Sequence, residues 1–426
     1  MLLLRRSYFR CQVSRITTPL LPAKIRWSRQ SFRLHVRYFQ KVRQTSICFL
    51  PDLDSITMLL GYRRAMDMLI CNISALRYHR IPSICREDFL ARLDRTSRIN
   101  ASALLNDEAI SGYLGCQLHV LVFDQSHRGR FRYQCNHLWT GDLPSGSFTR
   151  IGSYFEVASP AFTLLGLASF LSDVQLGMLV HEMLGGFAVV KLPSEHRNQV
   201  KALIDSGWHG SDGWSPVLNA RHELTDLWQR PPLLGVDELI AFAERSKGRR
   251  GSARLLKAAE GFLGEARSPF EVCAGLQYGL SRPRGGEGFN VLLNEKIPLS
   301  RQARALCDQG VCYADLLLTS KDGLKQLVVE CQSRLIHGNA DQQMMDFNRQ
   351  TALASMGYEY IPLTYAQLVQ PQRHRAMVRL IAEKLGEKYC EKKELLLERE
   401  EKLRRELYSD WGSIGNWNSS HKSHRR

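Results

Sequence analysis

Long apolar runs, paired cysteines and acidic residues near the N-terminus are the features that this 426-residue sequence lacks. No apolar run approaches the roughly 20 residues needed to span a bilayer, so we expect a soluble protein that has no membrane partner. Its eleven cysteines are scattered without a Cys-x-x-Cys pair, and no convincing secretory signal precedes them. This distribution argues against a disulfide scaffold and favours reduced, partly buried thiols in the cytoplasm.

The N-terminal segment lacks acids but is rich in cations. Residues 1–50 contain eleven Lys and Arg, and the first acid is Asp52; subtracting these eleven charges from the net +16 leaves +5 for the other 376 residues. Such a segment is typical of a mitochondrial presequence, but it also suits a basic arm on nucleic-acid phosphates or upstream sequence translated from a wrong start. The third interpretation, with Met58 or Met66 as the true start, is the most attractive. We expect residues 1–57 to be either a disordered arm or sequence translated from a wrongly assigned start.

Residues 58–194 carry the signals of a separate α+β domain. The apolar run Leu118–Phe123 predicts a strand, and the alternation within Ser147–Ala158 predicts another. Two helices are predicted to begin after Ser159 and Ser172, because Ser is a favoured helix cap.

One cluster in this region has metal-ligand residue types. Cys116 and His119 precede Cys135 and His137, and four nitrogen or sulfur ligands could hold zinc. The intervening residues predict two short strands, however, and on strand spacing Cys116 and His119 point to opposite faces. We therefore expect ordinary side chains here rather than a zinc site.

The next segment, residues 195–233, is rich in Gly, Ser, Asp, His and Trp, which predicts a linker or long loop. At the other end of the chain, residues 389–426 predict a charged helix and a disordered tail. Several basic residues after the linker are candidates for contacts with phosphates, although exposed Arg and Lys are usually just solvated: Lys247, Arg249, Arg250, Arg282 and Arg284.

A hairpin is predicted around Ser320–Gly323, whose Asp-Gly dipeptide separates two apolar runs. With a four-residue loop, Asp315 lies opposite Val328. Asp315, Glu330 and Gln332 would then project from one side of the hairpin. Two carboxylates a diagonal step apart suit a hard cation such as Mg²⁺.

The elements around the hairpin follow from local signals. Ser268 caps a helix that runs to Leu280, and Asn290–Leu299 predicts a first strand. After the hairpin, Asp341–Met356 predicts a helix and Tyr358–Thr364 a fourth strand. The predicted order is α-β-β-β-α-β, in which the crossing helix favours parallel pairing of the last two strands.

This segment, residues 234–388, resembles the PD-(D/E)xK endonuclease superfamily and within it the very-short-patch-repair-like endonuclease-fold domains. The resemblance implies a mixed α/β sheet, DNA as substrate, and Mg²⁺ or Mn²⁺ as cofactor. The positions that match its motifs are Glu271 in the first helix, Asp315 in the second strand, Glu330 and Gln332 in the third strand, Asp346 and Arg349 in the next helix, and Gly357–Ile361 in the last strand.

Two departures from the family pattern bear on chemistry. Ala314 stands where the motif has Pro, and Gln332 stands where it has Lys. An amide orients water and donates neutral hydrogen bonds but supplies no positive charge. His337 is a candidate base or phosphate ligand, because its unperturbed pKa near 6.5 suits that work.

Structural explanations compete with the catalytic ones. Glu271 is fully explained as the third residue of a capping box. Asp346 and Arg349 have the spacing of an ordinary ion pair on one helix face. Asp315 and Glu330 are harder to explain structurally, because burying unpaired carboxylates among apolar neighbours is costly.

A looser resemblance links residues 58–194 to bacterial regulators of the abortive-infection antitoxin type, carried by the segments SALRYHRIP, LPSGSFTRIGSYFEVASPAFTLLGLASFLS and VHEMLGGFAV. It implies a DNA-related regulatory role and a cognate toxin or defence partner. The prediction is therefore a cytoplasmic bacterial protein in which Asp315 and Glu330, with Glu271, hold the metal and Gln332 orients the attacking water. The alternative is a DNA-binding regulator or antitoxin whose nuclease-like domain is inactive.

Overall fold

The computed structural model describes residues 68–95, 100–307, 309–332 and 340–415 of the chain. The predicted arm 1–57, both candidate start methionines, His337 and the side chain of Asp346 lie outside the described residues. None of the described helices is both long enough and apolar enough to cross a bilayer.

The described part of the chain forms both helices and strands. Their bounds, in chain order, are β1 Met68–Ile70, α1 Asn72–His79, α2 Ser83–Arg95, α3 Ala101–Leu105, α4 Glu108–Leu114, β2 Leu118–Val122, β3 Gly129–Arg130, β4 Gln134–Leu138, β5 Phe148–Arg150, β6 Phe155–Ala158, α5 Pro160–Ala168, α6 Asp173–Leu184, β7 Phe187–Val189, α7 Ser194–Asp205, β8 Ser215–Leu218, β9 Leu224–Gln229, α8 Val236–Arg245, α9 Ser252–Glu260, α10 Pro269–Gly279, β10 Asn290–Pro298, α11 Arg301–Arg304, β11 Val311–Thr319, β12 Gln326–Gln332, α12 Ala340–Ser355, β13 Glu359–Thr364, α13 Tyr365–Val369, α14 Pro371–Leu385 and α15 Glu394–Leu407.

The first sheet has six strands in the order β3-β4-β2-β1-β6-β5, with parallel pairing of β2 with β4 and of β1 with β6. The segment predicted as one strand, Ser147–Ala158, is instead the antiparallel pair β5 and β6. The helix starts after Ser159 and Ser172 are confirmed, since each Ser hydroxyl accepts a backbone N–H of its helix.

The prediction that residues 195–233 form a linker or long loop is wrong. It contains helix α7 and strands β8 and β9, and β9 pairs with β7 in a three-stranded antiparallel sheet. Trp214 and Trp228 are both buried and meet edge to face, with ring centroids 6.5 Å apart. The many glycines serve tight turns rather than a flexible connection; Gly210 adopts φ 147°, where a Cβ would meet the Trp214 carbonyl.

The third sheet carries the candidate site and has the order β10-β11-β12-β13. Its first three strands are antiparallel, and β12 pairs with β13 in parallel. One face packs against apolar residues of α10 and α14, and the other against α11 and α12.

The hairpin of β11 and β12 forms, but its register differs from the prediction by two residues. Leu317, rather than Asp315, lies opposite Val328. The loop is longer than four residues because Thr319 pairs with Gln326, which leaves six residues between the last paired positions. The β11–β12 pairing is described up to Leu316 and Val329, and Asp315 and Glu330 are the next residues on their strands.

The predicted separate domains share one hydrophobic core. Buried side chains from α6 and from α10, such as Leu179 and Leu276, belong to the same cluster. All described residues also fall within one compact unit. The described residues therefore form one mixed α/β unit, in which the first and third sheets contain both parallel and antiparallel pairs, rather than two independent folded parts.

Candidate functional site

Asp315 and Glu330 lie at an irregular point in the third sheet. The β10–β11 ladder has no pair at Asn294 and Asp315, and Asn294 adopts a positive φ of 50°. Ala314 packs in the core cluster on one face, whereas Leu316 packs in the cluster on the opposite face. Since alternate residues of a regular strand share a face, the alternation breaks at Asp315. Such irregularities redirect side chains and are frequent beside functional sites.

Two cations and one backbone N–H surround the acid pair. The Cys331 N–H donates to Asp315 Oδ2 at 2.8 Å. Burial raises the pKa of Asp315, whereas that N–H bond, the Arg349 and Arg267 guanidinium groups, and a hydrogen bond with Glu330 lower it. The net direction is upward, so the site favours a proton or another cation at Asp315.

Glu330 is almost completely buried, with 4% of its surface exposed. Its Oε2 accepts a hydrogen bond from the Arg349 guanidinium of α12 at 2.6 Å, and the Arg349 side chain keeps 28% of its surface exposed. Of the predicted Asp346 and Arg349 helix positions, Arg349 thus reaches an acid of the candidate site.

Glu271 does not complete the predicted capping box, because its carboxylate accepts the backbone N–H of Arg267 rather than that of Ser268, but it still binds the helix start and adjoins the acid pair. Its carboxylate accepts the Ser268 hydroxyl and the Arg267 N–H, each at 2.7 Å, at the start of α10. Burial, and next the charge of Asp315, raise the pKa of Glu271 to about 7. The Glu271 side chain therefore belongs both to the cap of α10 and to the candidate site.

Cys331 and Arg267 are members of this cluster that sequence reasoning missed. Burial raises the pKa of the Cys331 thiol well above its ordinary value, and the charges of Asp315, Glu271 and Glu330 raise it further. Arg267 is exposed, and its guanidinium lies 6.0 Å from the ring centroid of Tyr313. No motif spacing identifies either residue, because sheet pairing and the helix start bring them to the acids.

Gln332 ends β12, where it is exposed and lies beside Thr364 of β13. The structure thus leaves its amide accessible next to the buried Glu330, two residues earlier on the same strand.

The basic residues predicted to contact DNA have different environments. Arg249 lies over the Trp139 ring at 5.2 Å and donates to the Thr140 carbonyl at 2.6 Å. Arg282 donates to the Cys390 carbonyl at 2.7 Å. These two guanidinium groups hold neighbouring segments together. Arg250 is exposed, with a long 3.5 Å contact to the Ser169 carbonyl, and Lys247 and Arg284 are also exposed.

Among the described residues, two groups bring three possible metal-ligand atoms within 4.8 Å of one another, and Glu271, Asp315 and Glu330 do not form a third. One group is Glu287, His374 and Glu400. The Lys392 ammonium lies 2.7 Å from Glu287 and 2.8 Å from Glu400. A lysine therefore already neutralises these acids, and the cluster is a buried ion network.

The other group is His119, Cys135 and His137, where sequence spacing argued against zinc. Cys116, the fourth residue of that sequence cluster, is not part of the group and is exposed. The rings of His119 and His137 stack with centroids 5.0 Å apart.

No protein-family model matches the chain, and neither a curated protein nor a solved structure shows significant similarity to it.

Proposed function

We propose that the chain is a divalent-metal-dependent phosphodiesterase that cleaves DNA, with Asp315 and Glu330 as its metal-binding acids. The observation that carries the proposal is that the two acids, on adjacent antiparallel strands, are hydrogen-bonded to each other beside the gap in the β10–β11 ladder. A third acid, Glu271, interacts electrostatically with Asp315. The raised pKa values of the neighbouring carboxyl groups of Asp315 and Glu271 are typical of functional sites.

The arrangement of elements supports the same proposal by analogy. Helix α10 precedes three antiparallel strands, and α12 crosses to the parallel strand β13. This order resembles the PD-(D/E)xK arrangement. Because one fold serves many functions, the analogy adds weight only together with the acids themselves.

The donor set fits a hard cation, because carboxylate oxygens are the ligands that Mg²⁺ and Mn²⁺ prefer. A metal bound here would activate a water molecule and stabilise the leaving oxygen of the phosphodiester. Arg349 occupies Glu330 Oε2, so it must move aside for that oxygen to become a ligand. The released guanidinium would then be available to a DNA phosphate.

The remaining side chains near the acids are suited to exchange a proton, orient the water molecule and contact the phosphate. Glu271, with its pKa of about 7, is suited to exchange a proton near neutral pH. The exposed amide of Gln332 orients the attacking water. Arg267 supplies the exposed positive charge that Gln332 cannot, and we propose that it contacts the phosphate.

A plasmid-cleavage assay tests the proposal. Purified full-length protein should nick supercoiled DNA with Mg²⁺ or Mn²⁺ but not with EDTA. Asp315→Asn and Glu330→Gln should each lower the rate by at least about a hundredfold, and Arg267→Gln by about tenfold or more. Glu260→Gln, at an exposed acid at the end of α9, is the matched control and should cleave normally. Full activity in both acid variants would show that other residues hold the metal.

The second candidate is a DNA-binding regulator or antitoxin with an inactive nuclease-like domain. The observation that favours it is the Arg349–Glu330 ion pair, which neutralises one acid of the pair at a buried position. On this hypothesis, the protein shifts DNA in a gel equally well with EDTA or Mg²⁺ and never cleaves it. Metal-dependent nicking that Asp315→Asn abolishes would exclude this hypothesis.

A further inference from the structure

A second cluster of ligand-type side chains lies on the first sheet, away from the acid pair in sequence and on a different set of strands. His119 lies on β2, directly across the parallel ladder from Cys135 on β4, and His137 lies two residues further along β4. Paired residues share a face of a sheet, as do residues two apart on one strand. The pairing of β2 with β4 therefore presents all three side chains on the same face.

The distances are close to those of a shared metal ion. His119 Nδ1 and His137 Nε2 are 2.9 Å apart, and one ligand atom from each of the three residues lies within 4.8 Å of the other two. Two nitrogens and one sulfur around a tetrahedral ion, at about 2.0 Å and 2.3 Å from it, are separated by roughly 3 to 4 Å. Small side-chain rotations would therefore suffice to accommodate the ion.

The residue types select the metal. Imidazole nitrogen and thiolate sulfur suit Zn²⁺, whereas Mg²⁺ and Ca²⁺ require oxygen ligands. Burial raises the pKa of the Cys135 thiol, and the Arg130 guanidinium, across the β3–β4 ladder from it, offsets only part of that shift. Metal binding at this thiol must therefore displace its proton.

We propose that His119, Cys135 and His137 form a Zn²⁺ site that keeps an open coordination position. His119 is buried, but Cys135 and His137 are half-buried, so solvent can reach the metal from their side. Three protein ligands with water as the fourth are typical of zinc sites that bind or activate a further ligand, whereas structural sites usually have four protein ligands. A hydrogen bond between two neutral imidazoles is the competing explanation for the short nitrogen–nitrogen distance.

Cobalt substitution distinguishes these explanations, because Co²⁺ reports thiolate coordination by an ultraviolet charge-transfer band. Full-length protein, purified under reducing conditions and freed of metal, is titrated with Co²⁺ and then with Zn²⁺. We expect the band to saturate at one equivalent of Co²⁺ and to disappear when Zn²⁺ displaces it. Zinc content by mass spectrometry gives an independent stoichiometry.

Variants at the half-buried positions test the ligands with the least disturbance of the core. Cys135→Ser should abolish the band. His137→Gln should weaken Zn²⁺ binding by more than the roughly 10- to 100-fold that loss of a supporting hydrogen bond costs. Cys116→Ser, at an exposed cysteine nearby, is the matched control and should bind like the unchanged protein. Circular dichroism of the metal-free variants checks their folding.

Two results would overturn the proposal. One is the absence of a thiolate band in folded protein at any Co²⁺ concentration up to several equivalents. The other is a band that survives in folded Cys135→Ser, because sulfur from another cysteine would then be the ligand.

Discussion

The buried carboxyl group of Glu271 should make the free energy of unfolding depend on pH. Its pKa rises from 4.5 to about 7 because the side chain, 7% exposed, lies near Asp315. The native state therefore binds more protons than the unfolded state between these pH values. By linkage, Glu271 lowers the free energy of unfolding as pH rises through this window, and its contribution is most favourable below pH 4.5.

The size of the effect follows from the pKa values. At about 1.4 kcal/mol per pKa unit, ionising Glu271 in the native state costs roughly 3 kcal/mol, most of it between pH 5 and pH 8. Glu271→Gln removes the charge but keeps the shape of the side chain. Its amide oxygen can accept the Arg267 N–H while its NH₂ donates to the Ser268 hydroxyl, so the cap is weakened by only about 1 kcal/mol.

Urea unfolding of the unchanged protein and Glu271→Gln at pH 5, 6, 7 and 8 measures this difference. We expect the variant to be slightly less stable or equal at pH 5 and about 2 kcal/mol more stable at pH 8. Glu260→Gln is the control, since its exposed side chain should give a difference that does not vary with pH. A constant difference between Glu271→Gln and the unchanged protein across the series would refute the reasoning.

Two further predictions concern other buried groups. Lys392→Met should lower the free energy of unfolding by about 3 to 5 kcal/mol, because it leaves the buried acids Glu287 and Glu400 without their shared cation. The exposed Lys388→Met should change it by no more than about 0.5 kcal/mol, and equal effects in urea unfolding would contradict the network. His181 donates from Nδ1 to a backbone carbonyl and accepts a backbone N–H at Nε2, and burial lowers its pKa to about 4. Its NMR titration midpoint should lie near that value, whereas a midpoint near 6.5 would contradict the buried neutral ring.

Local signals predicted much of the fold. The caps at Ser159, Ser172 and Ser268 were confirmed because each depends on residues within one helical turn. The hairpin was also predicted, but its register was not. The turn is lengthened by side-chain bonds, in which the Ser320 hydroxyl donates to Asp322 and accepts the Lys325 N–H. An Asp-Gly dipeptide predicts the position of a hairpin turn, but it does not specify these bonds or the register that they set.

Long-range pairing explains what the sequence did not reveal. Residues 195–233 have the composition of a linker, yet β9 finds its partner in β7, and the buried Trp228 anchors it. The short distance between His119 and His137 depends on parallel pairing of β2 with β4 across an intervening segment. Arg267 reaches the acid pair because it immediately precedes the helix that Glu271 helps to cap. Each of these features depends on strand pairing or helix placement rather than spacing along the chain.

The central claim is that Asp315 and Glu330 together hold a divalent cation. The most direct measurement is an anomalous difference map from crystals soaked in Mn²⁺, compared with crystals of Asp315→Asn treated identically. We expect a peak between the two carboxylates, with Arg349 displaced from Glu330, and no such peak in the variant. An Arg349–Glu330 pair that stays intact, with no density at the acids in Mn²⁺-soaked crystals, would contradict the claim.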